Sequence, residues 1–270
     1  MSHPFRFGIQ ASSVPDASSW FELARKTEQL GYSSLHLPDH FGDQLAPVPA
    51  IMAAASATEQ LKVGALVFDN DYRHPVVLAK ELATIDLLSE GRLEFGLGAG
   101  WMTSDYEQSG IQHDRAGIRV DRMIEAISVF RGCFGGEPFS YEGEHYKIED
   151  LTGTPMPYTE GGPPLLVGGG GKRVLGVAAR EAAIVGVNPS MHEGEIGLGA
   201  IADASAEATD RKLGWVKEAA GDRFDDIELN CLVIAAMVTD DRLRTANDML
   251  SRNPSEELML QSVLLDLPVF

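Results

Sequence analysis

Cysteine is scarce: the 270 residues contain two, Cys133 and Cys231, which lie far apart and form no C-x-x-C pair. Neither a disulfide scaffold nor a thiolate zinc site is therefore indicated. Histidine offers no metal motif either, because no H-x-H or H-E-x-x-H spacing occurs, so no metal ion is expected. Long apolar runs are missing; the longest, Cys231 to Val238, is far too short to span a bilayer. Positive charge is outnumbered, with 22 Lys and Arg against 40 Asp and Glu and a formal charge of -18. Nucleic acid and anionic membrane both demand a basic face, so neither is expected as a partner. An anionic cofactor would have to meet a locally basic pocket. No apolar signal region precedes the first strand, which makes a cytoplasmic protein the expectation.

What is present is enough apolar material for one large core, 44% of residues, in a length that suits a single α/β barrel of about 250 residues. One domain over residues 1–270 is the economical reading. Strand and helix signals alternate along it, which predicts a parallel sheet. Strands are expected at Phe5 to Gln10, Ser33 to Pro38, Lys62 to Phe68, Leu93 to Gly98, Pro164 to Gly168, Ala183 to Val187 and Leu229 to Thr239. Helices are expected at Ala17 to Leu30, Val48 to Glu59, Pro75 to Ser89, Gly117 to Phe134, Lys172 to Arg180, Ala200 to Ala220 and Asp241 to Ser251. The strand count falls one short of an eight-fold barrel. A connection rich in Gly, Pro and Tyr, from Gly135 to Gly162, is expected to carry a hairpin over FSYEGEHYKI.

The stretch Leu61 to Thr103 is the most telling, since it reads as strand, loop, helix, strand and a glycine-rich turn. Pro75 suits a helix start, where an N–H has no intrahelical partner, and Gly91 suits its end. Polar groups placed just after the strands of such a unit gather at one end of the sheet. Three segments, SSLHLPDHF from Ser33, RHPVVLAKELATIDLLSEGRLEFGLGAGW from Arg73 and PPLLVGGGGKRVLGVAAREAAIVG from Pro163, together resemble the bacterial luciferase-like monooxygenase superfamily. They are closest to its branch that uses the 5-deazaflavin coenzyme F420. That resemblance implies a (β/α)8 TIM barrel, a homodimer, and hydride transfer between F420 and a small organic substrate. It also implies that the excursion from Gly135 to Gly162 overlies the active-site mouth. Family members continue past a strand like Leu229 to Thr239 to an eighth strand, so here the barrel is expected to lack it, with Gln261 to Phe270 or a partner filling the gap.

Four motifs carry the chemistry. Asp39 and His40 follow the second strand, where an acid and an imidazole are placed for proton transfer; by themselves they fit a capping Asp and a hydrogen-bonded His better. The resemblance assigns His40 as proton donor or acceptor, with Asp39 as its electrostatic partner and a ring contact. At Leu66 and Val67 it implies a bulge with a non-proline cis peptide that brings backbone against the cofactor ring. Gly96-x-Gly98-x-Gly100 is no dinucleotide fingerprint, because Trp101 rather than a helix follows; Gly98 and Ala99 are expected to let a flat ring approach. Trp101 and Glu107, within the cluster Asp105-Tyr106-Glu107, are candidates for the substrate pocket together with Arg119. Relatives acting on sugar phosphates carry an acidic residue near this turn, and Trp101 speaks against such a substrate. Gly168, Gly169, Gly170, Gly171 and Lys172 follow a strand and begin a helix, an arrangement that offers backbone N–H groups and cations to a phosphate. Besides an F420 oxidoreductase, two readings stay open, a monooxygenase using reduced FMN and a non-catalytic barrel that binds flavin or deazaflavin, with a metal-dependent hydrolase on the same barrel a distant third.

Overall fold

The computed structural model describes residues 4–248 apart from 192–193, 196–197, 234–237, 242 and 246. Its strands are β1 (Gly8–Gln10), β2 (Ser34–Leu37), β3 (Lys62–Ala65), β4 (Phe68–Asp69), β5 (Leu93–Gly98), β6 (Phe139–Glu142), β7 (Lys147–Leu151), β8 (Leu165–Gly169), β9 (Ile184–Val187) and β10 (Glu228–Asn230). Between them run α1 (Ala17–Gln29), α2 (Pro47–Ala57), α3 (Pro75–Leu88), α4 (Thr103–Ser109), α5 (Ala116–Phe134), α6 (Lys172–Glu181), α7 (Leu198–Ala202) and α8 (Ala206–Ala220). Local chemistry explains the starts: Asp16 accepts from Ser19 N at 2.8 Å to cap α1, and prolines open α2 and α3.

The main sheet is parallel and runs β1-β2-β3-β5-β8-β9-β10, with β4 pairing β5 beyond the end of β3. Helices cover its outer face. In β5 the odd positions Leu93, Phe95 and Leu97 enter the core, Phe95 meeting Phe130 of α5 at 4.7 Å, while Glu94, Gly96 and Gly98 alternate with them and face the other way. The sheet curls into an open barrel whose first and last described strands are bridged by one side chain. Arg6, just ahead of β1, donates to Glu228 of β10 at 2.7 Å and to Glu94 at 2.8 Å. Glu94 also lies 3.2 Å from His36 Nε2. Burial alone would raise the Glu94 carboxyl, but His36 and Arg6 hold it below its ordinary range.

Four expectations need correction. The strand read as continuous from Lys62 to Phe68 is divided into β3 and β4 at Leu66 and Val67, the place of the bulge that the resemblance implied. The seventh, expected to reach Thr239, ends at Asn230 within the described residues, and Cys231, Leu232 and Val233 beyond it are exposed, so the apolar run there is not a buried strand. The helix expected from Ala200 to Ala220 is two helices, since Ser205 accepts from Ala208 N at 3.3 Å and starts α8 afresh. A short helix, α4, follows the glycine turn where none was expected; Gly110 ends it in the left-handed region at φ 73°. The tail from Gln261 to Phe270 and, within the helix expected from Asp241 to Ser251, residues 242, 246 and 249–251 lie outside the described residues.

The hairpin β6–β7 forms where expected. Glu125 of α5 seats its turn by accepting from the backbone of Glu144, His145 and Tyr146 at 2.8, 2.9 and 3.1 Å. Tyr146 then meets Asn70, just after β4, at 3.3 Å. The excursion is thereby anchored at the carboxyl end of the sheet.

Candidate active site

Parallel strands deliver their carboxyl ends to one mouth. Gln10 arrives from β1, Asp39 and His40 from β2, Leu66 and Val67 from the break between β3 and β4, Gly98 to Trp101 from β5, Gly168 to Gly170 from β8 and Asn188 from β9. The peptide between Leu66 and Val67 is cis, at the place the resemblance implied. Gln10 Nε2 donates to the Leu66 carbonyl at 2.7 Å, a contact that sequence reasoning missed because glutamine at a strand end is uninformative.

His40 is the reactive group at this mouth that solvent can reach. Its side chain keeps 18% of its surface, while the carboxylate it meets, Asp105 on α4, keeps 5%. Nδ1 stands 2.7 Å from Asp105 Oδ2. Tyr72 donates its hydroxyl to the same oxygen at 2.9 Å, and Phe41 N donates to Oδ1 at 3.2 Å. Trp101 stands edge-on to the imidazole with centroids 5.4 Å apart. Trp101 therefore forms a wall beside His40.

Asp39, assigned as the partner of His40, is not its partner. The carboxylate turns into the barrel wall, is held by Arg73 at 2.5 and 3.1 Å, and accepts from Asp69 N at 3.1 Å. Consecutive residues leaving a strand point apart, so adjacency in sequence placed the two side chains on different neighbours. Glu107 is corrected in the same way: it is exposed on α4, and the carboxylate of that cluster which reaches the mouth is Asp105. Arg119 is no substrate contact either, for it is buried and donates to the carbonyls of Ala99 and Gly100 at 3.2 Å each, fixing the turn from behind.

Gly98 has a packing role besides the one expected. A Cβ there would come within 2.6 Å of Val67 Cγ2, and one at Gly96 within 2.0 Å of the Ala65 carbonyl oxygen. The missing side chains make room for the Val67 side chain and the broken strand. Behind this floor lies an acidic cluster that the sequence did not flag. Tyr106 donates to Asp71 at 3.0 Å and lies 3.3 Å from Asp69, while Arg122 pairs with Asp71 at 2.7 Å and with Asp114. Burial, with Asp71 and Asp39 close by, pushes the Asp69 carboxyl up to about 7. Burial first, then nearby carboxylates, also raises the phenols of Tyr72 and Tyr106 well above their ordinary range.

The glycine run behaves as a helix entrance. Gly171 is the N-cap of α6 and no side chain caps it, leaving first-turn N–H groups available. Lys172 and Arg173 turn outward, to Glu218 at 3.3 Å and to Asp121. Around the mouth, Arg73 and Arg122 are likewise tied to Asp39, Asp71 and Asp114, so no unpaired cation supplies the basic pocket among these residues. The residues do fit the ring of a flavin-type cofactor. Asn188 Oδ1 is buried without a hydrogen-bond partner at the end of β9, beside Gly168, where an N–H of a bound pyrimidine ring would satisfy it.

A parallel barrel with an imidazole, an indole and a broken third strand at its mouth is a luciferase-like α/β architecture. The chain belongs to the luciferase-like monooxygenase family, whose profile matches residues 1–227. It is 29% identical over 189 residues to an F420-dependent glucose-6-phosphate dehydrogenase of Microbacterium testaceum, covering 67% of this chain and 55% of that protein. It is 28% identical over 203 residues to an FMNH2-dependent dimethylsulfone monooxygenase of Pseudomonas putida, with 67% and 55% covered. The chain thus spans little more than half the length of these relatives. The coenzyme F420-dependent tetrahydromethanopterin reductase of Methanopyrus kandleri shares the fold, with a TM-score of 0.73 at 17% identity over 98% of this chain and 83% of that one.

Proposed function

We propose that this chain binds coenzyme F420 and transfers a hydride between it and a small organic substrate, with His40 moving the accompanying proton. The observation that carries this reading is the accessible His40 imidazole, held by Asp105 beside Trp101 and the Leu66–Val67 break. The ring would be held by backbone at Leu66, Val67, Gly98 and Ala99 and by the Asn188 amide. Its phosphate would meet the N–H groups of Gly168 to Gly171 and the first turn of α6, since the paired Lys172 adds little there. When bound, the deazaflavin supplies hydride transfer at its ring carbon. The protein's part is to orient both partners, exclude water with Trp101 and the hairpin, and hold or accept a proton at His40 Nε2. Homodimer formation is part of the proposal; Val77, Leu87 and Leu88 leave an exposed apolar strip along α3 for a second copy.

The likeness to both F420 and FMNH2 enzymes keeps reduced FMN with oxygen as the second reading. Titration of the purified protein against F420 and FMN side by side, followed by turnover assays on small alcohols and ketones, separates them. Selective F420 binding with substrate-dependent reduction of the cofactor is expected, and His40→Ala should lower turnover by about two to four orders of magnitude while barely changing cofactor affinity. FMN binding with oxygen-dependent product establishes the monooxygenase, and tight binding without turnover establishes a binding protein.

A further inference from the structure

The His40 ring has two nitrogens, and which one carries the proton decides what the residue can do to a substrate. Asp105 receives three contacts: Phe41 N on Oδ1, and the Tyr72 hydroxyl and His40 Nδ1 on Oδ2. Two of these three neighbours are donors whatever the histidine does. The Phe41 amide has no other role available, and burial keeps the Tyr72 phenol protonated. A carboxylate that accepts from two donors has only acceptor capacity for the third contact. His40 Nε2 has no hydrogen-bond partner among the described residues.

We infer that Asp105 is a positioning residue that locks His40 as the Nδ1–H tautomer, so that Nε2 is presented bare toward the mouth. For the activity proposed above, on which this inference rests, that fixes which nitrogen exchanges the proton with the substrate. A bare Nε2 accepts a proton, and the group that gives up a proton as its carbon loses a hydride is a hydroxyl. If a deazaflavin held at the mouth took a hydride from an alcohol carbon, Nε2 would take the hydroxyl proton and the C–O single bond would become a carbonyl. In the opposite direction His40 must first take up a proton from solvent at Nε2, with Asp105 balancing the imidazolium. Asp105 touches no reacting atom in either direction.

The test reads the tautomer directly. Long-range proton–nitrogen correlation spectra of protein labelled at histidine nitrogen, with His40→Gln identifying the His40 signals, are recorded at a pH where the ring is neutral. The native protein should show a protonated Nδ1 and a bare Nε2. In Asp105→Asn the population should move toward Nε2–H, and Asp105→Glu should restore part of the native pattern. Tyr72→Phe, which removes the other donor to Oδ2, should leave the tautomer in place. A native spectrum with Nε2–H, or an Asp105→Asn spectrum identical to the native one, overturns the inference; should Asp105→Asn not fold, the native and Tyr72→Phe spectra still decide it. In turnover assays Asp105→Asn should lower kcat for alcohol oxidation about ten- to hundredfold with KM and cofactor Kd unchanged, as when the partner of a functional histidine is removed. An Nδ1–H ring in a protein that binds no F420 would uphold the lock and defeat the proposed function, so the two failures are distinguishable.

Discussion

Val67 and Gly98 share one space, and neither can change alone. With Val67 Cγ2 only 2.6 Å from where a Cβ would stand, Gly98→Ala should lower stability by about 1–3 kcal/mol, as overpacking does. Val67→Ala in the same chain should recover most of the loss in a urea titration. Gly96→Ala should not be rescued that way, because its Cβ would meet the Ala65 carbonyl, which is backbone. Asp69 gives a pH signature. Its carboxyl is raised from an ordinary 3.8 to about 7, so the folded chain holds a proton there that the unfolded chain has released. Stability from this group is complete below its unfolded pKa, declines as pH rises through the window between the two values, and is flat above the folded one. Asp69→Asn cannot ionise. Measured against the native protein, the variant should gain on the order of a few kcal/mol between about pH 4 and pH 8. A constant difference across that range would show that Asp69 is ionised throughout.

At the level of elements, the entrance to α6 rests on backbone more than on charge. A Cβ on Gly170 would lie 2.4 Å from the Pro189 backbone, which leads away from β9 and Asn188. Gly170→Ala should therefore displace that loop, lowering the melting temperature and weakening cofactor binding together, whereas Lys172→Ala should change neither appreciably, its ion pair being exposed. Calorimetric melting and binding titration of the two variants check this. Elements of this kind were legible where the signal was local: Pro75 and Gly91 bracket α3, and alternating small and large residues mark β5. The break at Leu66 and Val67 was legible only through family resemblance, since its residues are ordinary strand formers. Illegible were features decided by tertiary neighbours. His40 was named from its position, but its partner lies 65 residues on, in a helix too short to show a period. The choice among Asp105, Tyr106 and Glu107 depends on the rotation of α4, and no composition rule encodes that. Lys172 and Arg173 looked like phosphate ligands because sequence shows charge without showing direction.

Across the whole molecule, Arg6 links the two ends of the sheet. Its removal leaves Glu94, whose side chain is 6% exposed, with His36 as its one remaining ionic neighbour among the described residues, and frees the first strand from the last. Arg6→Met should cost about 1–3 kcal/mol, below the loss for a fully buried pair because Arg6 itself is 30% exposed. Equal urea midpoints for the variant and the native protein would show that the bridge does not hold the curl. The charge balance has a different consequence, in how fast anything arrives. The chain carries a formal charge of -18, and the cations nearest the mouth are neutralised by Asp39, Asp71 and Asp114. A phosphate-bearing cofactor therefore diffuses toward the site against a repulsive field that reaches about 30 Å in very dilute buffer and about 8 Å at physiological salt. Steering runs backward here: in stopped-flow mixing, the bimolecular association rate should climb as salt is added, and a rate that drops would reveal a patch of attraction somewhere along the approach.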